Sequence, residues 1–407
     1  MMERPQMRLL DQFRGVSETA VLEEVVALGE RLRGLSVVHV NSTRVGGGVA
    51  EILHRMIPLM QEQGLETRWE VIEGEGAFFD ATKSFHNGVQ GDPVELSPAL
   101  LDAYQATNAQ NAARLRPILE AADVVVIHDP QPAPLLSLCP NRRGRWIWRC
   151  HIDAGSAHPP IWATLEEYVA GYDASIFHME EFRRPMGHRQ ILMPPSIDPL
   201  GPKNRPLSDP RVREILVEQG IDPERPMVLQ VSRYDRFKDP VGVLRAAALA
   251  REATDLQVVL AGGGADDDPE GKEVLDEVRA VAARMDDAHV LLLPPDAHEV
   301  INGLQRGAAV ILQKSLKEGF GLTVSEAMWK SRPVIGGDVG GIRLQITDGE
   351  TGYLVDSVEA AAQRITDLLT DPDAAQEMAR RGKEHVRAHF LITTHLLNYL
   401  ELFESLR

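Results

Sequence analysis

The pattern that most constrains this chain is an alternation, run through twice, of short β-branched stretches with longer helical ones. In the first half the apolar runs Ser36–Asn41, Arg68–Ile72, Val124–His128, Arg145–Cys150 and Ala174–His178 predict strands. In the second, Met227–Ser232, Gln257–Ala261, Val290–Leu293, Ala309–Gln313 and Pro333–Gly336 do the same. Strands separated by helices build parallel sheets covered on both faces. Between the two sets lies MPPSIDPLGPKNRP, Met193–Pro206, whose prolines can neither continue a helix nor join a sheet, so it reads as a linker. The expected fold is therefore α/β, with two doubly wound, Rossmann-like parallel-sheet domains facing a cleft. The domains are expected at 1–195 and 207–387, with a linker at 196–206. With 407 residues, 43% of them hydrophobic, the chain is long enough for two cores.

Charge excludes some partners. Asp and Glu outnumber Lys and Arg by 60 to 43, a formal charge of -17, which argues against a nucleic-acid backbone or an anionic membrane. Any phosphate site must then be local. Two cysteines, Cys139 and Cys150, are too few for a disulfide framework or a multi-cysteine metal site and read as small apolar residues in a reducing, cytoplasmic setting. The start, MMERPQMRLLDQF, has no apolar leader core, and nowhere do about eighteen apolar residues run together.

In doubly wound sheets ligands bind beyond the carboxyl ends of the strands, so the residues just after each strand carry the chemistry. The run after Ser36–Asn41 leads into Gly46, Gly47 and Gly48 and then the helical stretch Ala50–Gln63, where backbone amides can cradle a diphosphate. It matches neither G-x-G-x-x-G nor the P-loop, and a tight turn would also explain it. Val124–Ile127 ends in His128 and Asp129; Trp146–Arg149 ends in Cys150, His151 and Asp153. Polar groups at the tips of apolar strands are either satisfied structural groups or site residues. In the second half Val228–Val231 is followed by Arg233 and Lys238, a cation pair able to neutralise a diphosphate leaving group.

The last of these segments is Glu318-Gly319-Phe320-Gly321-Leu322-Thr323-Val324-Ser325-Glu326. Its glycines admit a ligand close to the backbone, and a helix opening near Thr323 aims N–H groups and a positive dipole end at an anion. Glu326 can accept from the vicinal hydroxyls of a ribose, while Glu318 faces what lies beyond the phosphates. A helix start that merely favours acidic residues is the alternative.

In this order, Gly46-Gly47-Gly48, His151, Arg233, Lys238 and Glu318…Glu326 resemble the retaining GT-B glycosyltransferases of family GT4 over almost the whole chain. The segments HNGVQG (86–91), IHDPQ (127–131), WRCHID (148–153) and SRYDRFKD (232–239) resemble more narrowly the trehalose glycosyltransferring synthases, which join glucose from a nucleoside diphosphate glucose to free glucose. Trehalose phosphorylases look similar, with phosphate in place of the nucleotide.

The resemblance implies roles residue by residue. Glu326 would bind the ribose, Arg233 and Lys238 the diphosphate, and Gly46–Gly48 the donor phosphates and the acceptor side. Glu318 would hold hydroxyls of the transferred glucose, its neighbours Gly319, Phe320, Gly321 and Leu322 would belong to the donor site, and His151 would lie beside the glucose 6-hydroxyl. Asp129 and Asp153 would line the acceptor pocket together with Lys83, Asn87 and Gln90. The C-terminal helix, within 388–407, would return to the first domain. The family favours front-face transfer, in which the departing phosphate oxygen takes the acceptor proton while closing domains exclude water. Catalysis would then fall to Arg233, Lys238, Glu318 and His151.

No metal or other cofactor is required by this reading, although Mg2+ can accompany the nucleotide. Asp266-Asp267-Asp268 has a D-x-D spacing but reads as a solvated acidic turn beside Pro269, and His54, His86, His158, His178 and His188 show no zinc-ligand spacing. The expected partners are NDP-glucose, glucose and trehalose. A homodimer is compatible with the sequence, which leaves oligomeric state open. A sugar-nucleotide epimerase and a non-catalytic sugar-nucleotide binder are the readings from other classes. Base preference would rest on backbone groups around Leu293–His298.

Overall fold

The structure, a computed structural model, describes residues 8–45, 47–263 and 269–407. Gly46 and Asp266–Asp268, named above, lie outside the described residues. The chain divides into two compact units, one running to Pro195 and completed by Ile392–Arg407, the other spanning Ser196–Leu391.

The first unit is built on a six-stranded parallel sheet of β1 (Ser36–Asn41), β2 (Glu66–Val71), β3 (Val124–His128), β4 (Arg145–Arg149), β5 (Ala174–Phe177) and β6 (Arg189–Leu192). Its order is β2-β1-β3-β4-β5-β6. Every residue of β3, VVVIH, is buried, as a central strand covered on both faces requires. The closing helix Ile392–Leu406 packs on the helices Thr19–Arg31 and Gly47–Glu62, burying Leu396, Tyr399, Leu400 and Phe403. An Arg31–Glu404 ion pair of 2.6 Å ties its outer end.

The second unit holds β7 (Met227–Val231), β8 (Gln257–Gly262), β9 (Ala288–Leu292), β10 (Val310–Gln313), β11 (Val334–Gly337) and β12 (Tyr353–Val355), again all parallel. Their order is β12-β11-β10-β7-β8-β9. Strand periodicity splits its core in two. Val228, Val258, Leu260, Val310, Leu312 and Ile335 pack on one face, Leu229, Val231, Val259, Ala261, Ile311 and Val334 on the other.

Ten strands coincide with the sequence reading to within two residues at either end. The two not anticipated, β6 and β12, are edge strands of four and three residues. In β6, RQIL, no residue is fully buried, so no apolar run marks it. Gly47 and Gly48, read as loop, form the first turn of the helix Gly47–Glu62, with Gly47 at φ 78°. Both sheet orders reverse direction once, between β1 and β3 in the first unit and between β7 and β10 in the second. A crevice opens at such a reversal, beyond the carboxyl ends of the strands.

Candidate active site

In the second unit the reversal brings together residues from the ends of β7 and β10. After β7 the chain turns through Arg236–Lys238 as a single 3-10 turn, capped by Asp235, whose side chain accepts from the Lys238 N–H. Gln230, in β7 itself, donates to the Lys238 carbonyl at 2.7 Å. With its backbone so held, Lys238 places Nζ 2.6 Å from Glu318 Oε2, an ion pair nearly out of solvent. Ser315 Oγ donates to the same oxygen at 3.3 Å. A second pair lies directly behind. The almost buried Lys314 bonds Asp239, which sits in the left-handed region at φ 48° and caps the helix Pro240–Ala250 through Gly242 N–H. Arg233 is the exposed member, 71% accessible, with its guanidinium 3.2 Å from Asp235. Asp235 thus links the two cations proposed for a diphosphate.

The glycine-rich segment works through backbone shape. Gly321 caps the helix Leu322–Trp329 at φ 81°, and a Cβ there would stand 3.1 Å from Glu318 Cγ. Gly341 lets Gly319 and Phe320 approach; a Cβ on it would meet the Gly319 carbonyl at 2.5 Å. Phe320 turns its ring into the core and packs on Phe390 at 5.6 Å. It is large and apolar, and burial in the hydrophobic cluster outweighs exposure at a site edge. Gln345 accepts from Ser325 Oγ and donates to the Phe320 carbonyl, fixing the loop. Glu326 is 1% exposed, with Oε1 3.8 Å from Lys203 Nζ and Oε2 accepting from Gln305 at 3.3 Å. Leu322 is half-buried at the start of the helix.

In the first unit the ends of β3 and β4 meet. Asp129 adopts φ 65°, a left-handed conformation costly for a residue with a Cβ, and it is held by three bonds. Its N–H donates to the Arg149 carbonyl at 2.8 Å, its carbonyl accepts from Trp148 Nε1 at 3.0 Å, and its Oδ1 accepts the His151 N–H at 2.7 Å. Burial raises its carboxyl to about 7, against the lowering pull of that N–H and of Arg149. His151 Nε2 lies 2.9 Å from His128 Nδ1, and His128 Nε2 lies 3.0 Å from His39 Nδ1. Burial pushes all three imidazoles below the ordinary histidine range, with Arg149 adding to the effect.

Asp153 accepts from Gly155 N–H and so shapes the loop after β4. That loop abuts the end of the helix Ala77–Val89. His158 N–H donates to the Gly88 carbonyl at 2.7 Å, and Gly91, at φ 99°, lies so close that a Cβ would be 2.6 Å from the Ser156 carbonyl. Lys83, Asn87 and Gln90 fall at i, i+4 and i+7 along this helix and its cap, hence on one face. Lys83 is exposed, and the other two are half-buried.

Several participants escape the sequence reading. Lys314 follows β10 as directly as Arg233 follows β7, so the strand-end rule alone would have found it. Asp235, Asp239, Lys203 and Gln305 act by bonding site residues, and no spacing announces them. His39 leaves a trace: it is the one polar residue within the run 37–40 of β1. Among the described residues no group of three or more His, Cys, Asp or Glu side chains could hold a metal ion, and no helix is long and apolar enough to cross a membrane. Both cysteines are buried and free.

Two family models match the chain, one described as the N-terminal domain of trehalose synthase over residues 39–184, the other as glycosyl transferases group 1 over residues 212–385. Trehalose synthase from Thermococcus litoralis is 43% identical over 401 residues, covering 97% of both chains. A trehalose phosphorylase from Pleurotus pulmonarius is 28% identical, over 93% of this chain but only 58% of its own. A UDP-forming α,α-trehalose-phosphate synthase from Burkholderia xenovorans has the same GT-B fold, superposing with a TM-score of 0.74 at 16% identity over 91% of this chain and 99% of its own. With a relative so similar along nearly its entire length, this chain belongs to the trehalose synthase family of GT-B glycosyltransferases.

Proposed function

We propose that the chain is a retaining glucosyltransferase that moves glucose from a nucleoside diphosphate glucose to free glucose, forming trehalose reversibly. The observation that carries this reading is the full-length similarity to trehalose synthase, together with a cation–carboxylate site at the strand reversal of the second unit. Glu326 takes the ribose hydroxyls, exchanging its contact with Lys203 for them. Lys238 and Arg233 take the diphosphate, and Glu318 takes hydroxyls of the glucose. On the acceptor side stand Asp129 and Asp153, with Lys83, Asn87 and Gln90 along one helix face, and His151 meets the glucose 6-hydroxyl.

In the transfer the bond from C1 to the diphosphate oxygen breaks, and a bond from C1 to an acceptor hydroxyl oxygen forms on the same face. The acceptor proton passes to the departing oxygen. Negative charge grows on the diphosphate, where Arg233 and Lys238 stabilise it more in the transition state than in the ground state. Mg2+ can accompany the nucleotide as a counterion.

The test is incubation of the protein with UDP- or ADP-glucose, with and without glucose, identifying the nucleotide released and the disaccharide formed. Glucose-dependent release of nucleoside diphosphate with trehalose is the expected result. Phosphate-dependent cleavage of trehalose with no transfer from any nucleotide sugar would make the chain a phosphorylase instead.

A further inference from the structure

Three imidazoles stand in line beneath the first unit's candidate site. His39 comes from the middle of β1, His128 from the end of β3 and His151 from just after β4, so the line crosses the sheet at its strand reversal. Their rings lie 5.3 and 5.2 Å apart at 26° and 18°, joined by N···N contacts of 3.0 and 2.9 Å. His39 and His128 are buried, and His151 is half-buried at the open end.

Each N···N contact needs one ring hydrogen. Burial and the nearby Arg149 guanidinium keep all three rings neutral, so each carries a single N–H. His128 must then donate in one contact and accept in the other, which leaves only two arrangements. In one, His151 Nε2–H donates inward to His128, His128 donates to His39, and the His39 N–H ends on Nε2. In the other, His39 Nδ1–H donates to His128, His128 Nδ1–H donates to His151 Nε2, and the His151 hydrogen stands on Nδ1.

His39 Nε2 decides between them. It is buried without a hydrogen-bond partner. An orphaned buried N–H is rarer in native proteins than an under-used acceptor, so the arrangement that leaves only a lone pair there is preferred. The same dead end rules out a proton wire, because a proton reaching His39 has nowhere to go. What the line can do is fix polarity. The His151 ring is further held by its backbone N–H on Asp129 Oδ1 at 2.7 Å.

We propose that His39 and His128 are positioning residues that lock His151 in its Nδ1–H tautomer, making it a fixed hydrogen-bond donor toward an oxygen of the bound sugar. The tautomer lock stands on the ladder alone; the sugar as recipient rests on the proposed function.

The experiment uses the full chain labelled with 15N-histidine, in which long-range proton–nitrogen correlations distinguish the two tautomers, His151→Asn assigning the signal. The expected spectrum shows His151 with Nδ1 protonated. His39→Leu is expected to move His151 toward the other tautomer and to lower kcat about tenfold, the equivalent of one lost hydrogen bond, with less effect on KM. His39→Gln, whose amide still donates to His128, is expected to restore both. His128→Phe keeps a flat ring in the stack and gives the same readout if His39→Leu does not fold. A His151 protonated on Nε2 in the unaltered chain, or one whose tautomer ignores His39→Leu and His128→Phe alike, would overturn the lock. A lock confirmed by the spectra alongside full glucose transfer by His151→Phe would overturn the donor role toward sugar while the transferase reading stands, whereas a confirmed lock in an unaltered chain that transfers no glucose would trace the failure to the functional reading.

Discussion

Lys238 and Glu318 neutralise one another, yet the proposed reaction asks them to hold different parts of the donor. A nucleoside diphosphate without its sugar must separate the pair and offers Glu318 nothing in return, whereas the glucosylated donor supplies hydroxyls for the released carboxylate. Glu318→Gln removes the competitor for Lys238. It is expected to bind nucleoside diphosphate several-fold more tightly while transferring glucose about a hundredfold more slowly, a split that calorimetry and steady-state kinetics would resolve. Weaker diphosphate binding by the variant would contradict the exchange. Arg233 tests the leaving-group role without that complication, because it is largely exposed and pairs with Asp235 rather than with Glu318. Arg233→Ala is expected to leave stability within about 0.5 kcal/mol of the parent while lowering kcat about 10²–10³-fold, and near-normal turnover would count against the role.

At the scale of elements, Gly321 sets both the start of the helix Leu322–Trp329 and the placement of Glu318. Gly321→Ala is expected to cost about 1–2 kcal/mol, because φ 81° is strained for a residue with a Cβ, and to weaken donor use because the new Cβ presses on Glu318 Cγ. Gly349→Ala is its control. Gly349 has φ 74°, and a Cβ added there would meet nothing within 4 Å, so the variant's melting temperature should fall similarly while KM for the donor stays unchanged. Equal effects of the two on KM would show that the cap does not position Glu318. Elements of this kind were partly legible in the sequence. The buried strands announced themselves because both faces are covered and their apolar runs are continuous, and His151 comes just after β4 while Lys238 and Glu318 lie on the loops that follow β7 and β10. Of the edge strands, β6 has no buried apolar run to read, and β12 is only the three residues Tyr353-Leu354-Val355. The direction of the Phe320 ring was not legible, because a motif says which residues are neighbours along the chain, not which way a ring turns once a core is available. Lys203 and Gln305 reach Glu326 from other segments, and such contacts exist only after folding, whereas Lys314 stands at a strand end where the strand-end rule applies.

For the molecule as a whole, the buried histidines make the first unit sensitive to acid. His39 is pushed down to about 3, and His128, His151 and His395 also fall well below the ordinary range, in each case chiefly through burial. Between the unfolded value near 6.5 and those depressed values the unfolded chain binds more protons, so stability is lost as pH falls through that window, by about 1.4 kcal/mol per pH unit for each net proton. Asp129 works in the opposite sense. Its carboxyl is raised to about 7, so its contribution is fully present below about pH 4 and is lost as pH rises through about 7. Four histidines against one carboxyl leave a net loss on acidification from about pH 6.5 to 4. Trp69, Trp146, Trp148 and Trp162, four of the chain's five tryptophans, are buried in this unit, so their fluorescence during urea unfolding reports on it. The urea midpoint of that transition is expected to fall steadily from pH 7 to pH 5. In His39→Gln, which removes one of the four imidazoles, the fall is expected to be shallower by up to one proton's worth. A midpoint that stays level or climbs on acidification would mean that the carboxyl, rather than the imidazoles, governs the acid response of the sheet carrying the histidine line.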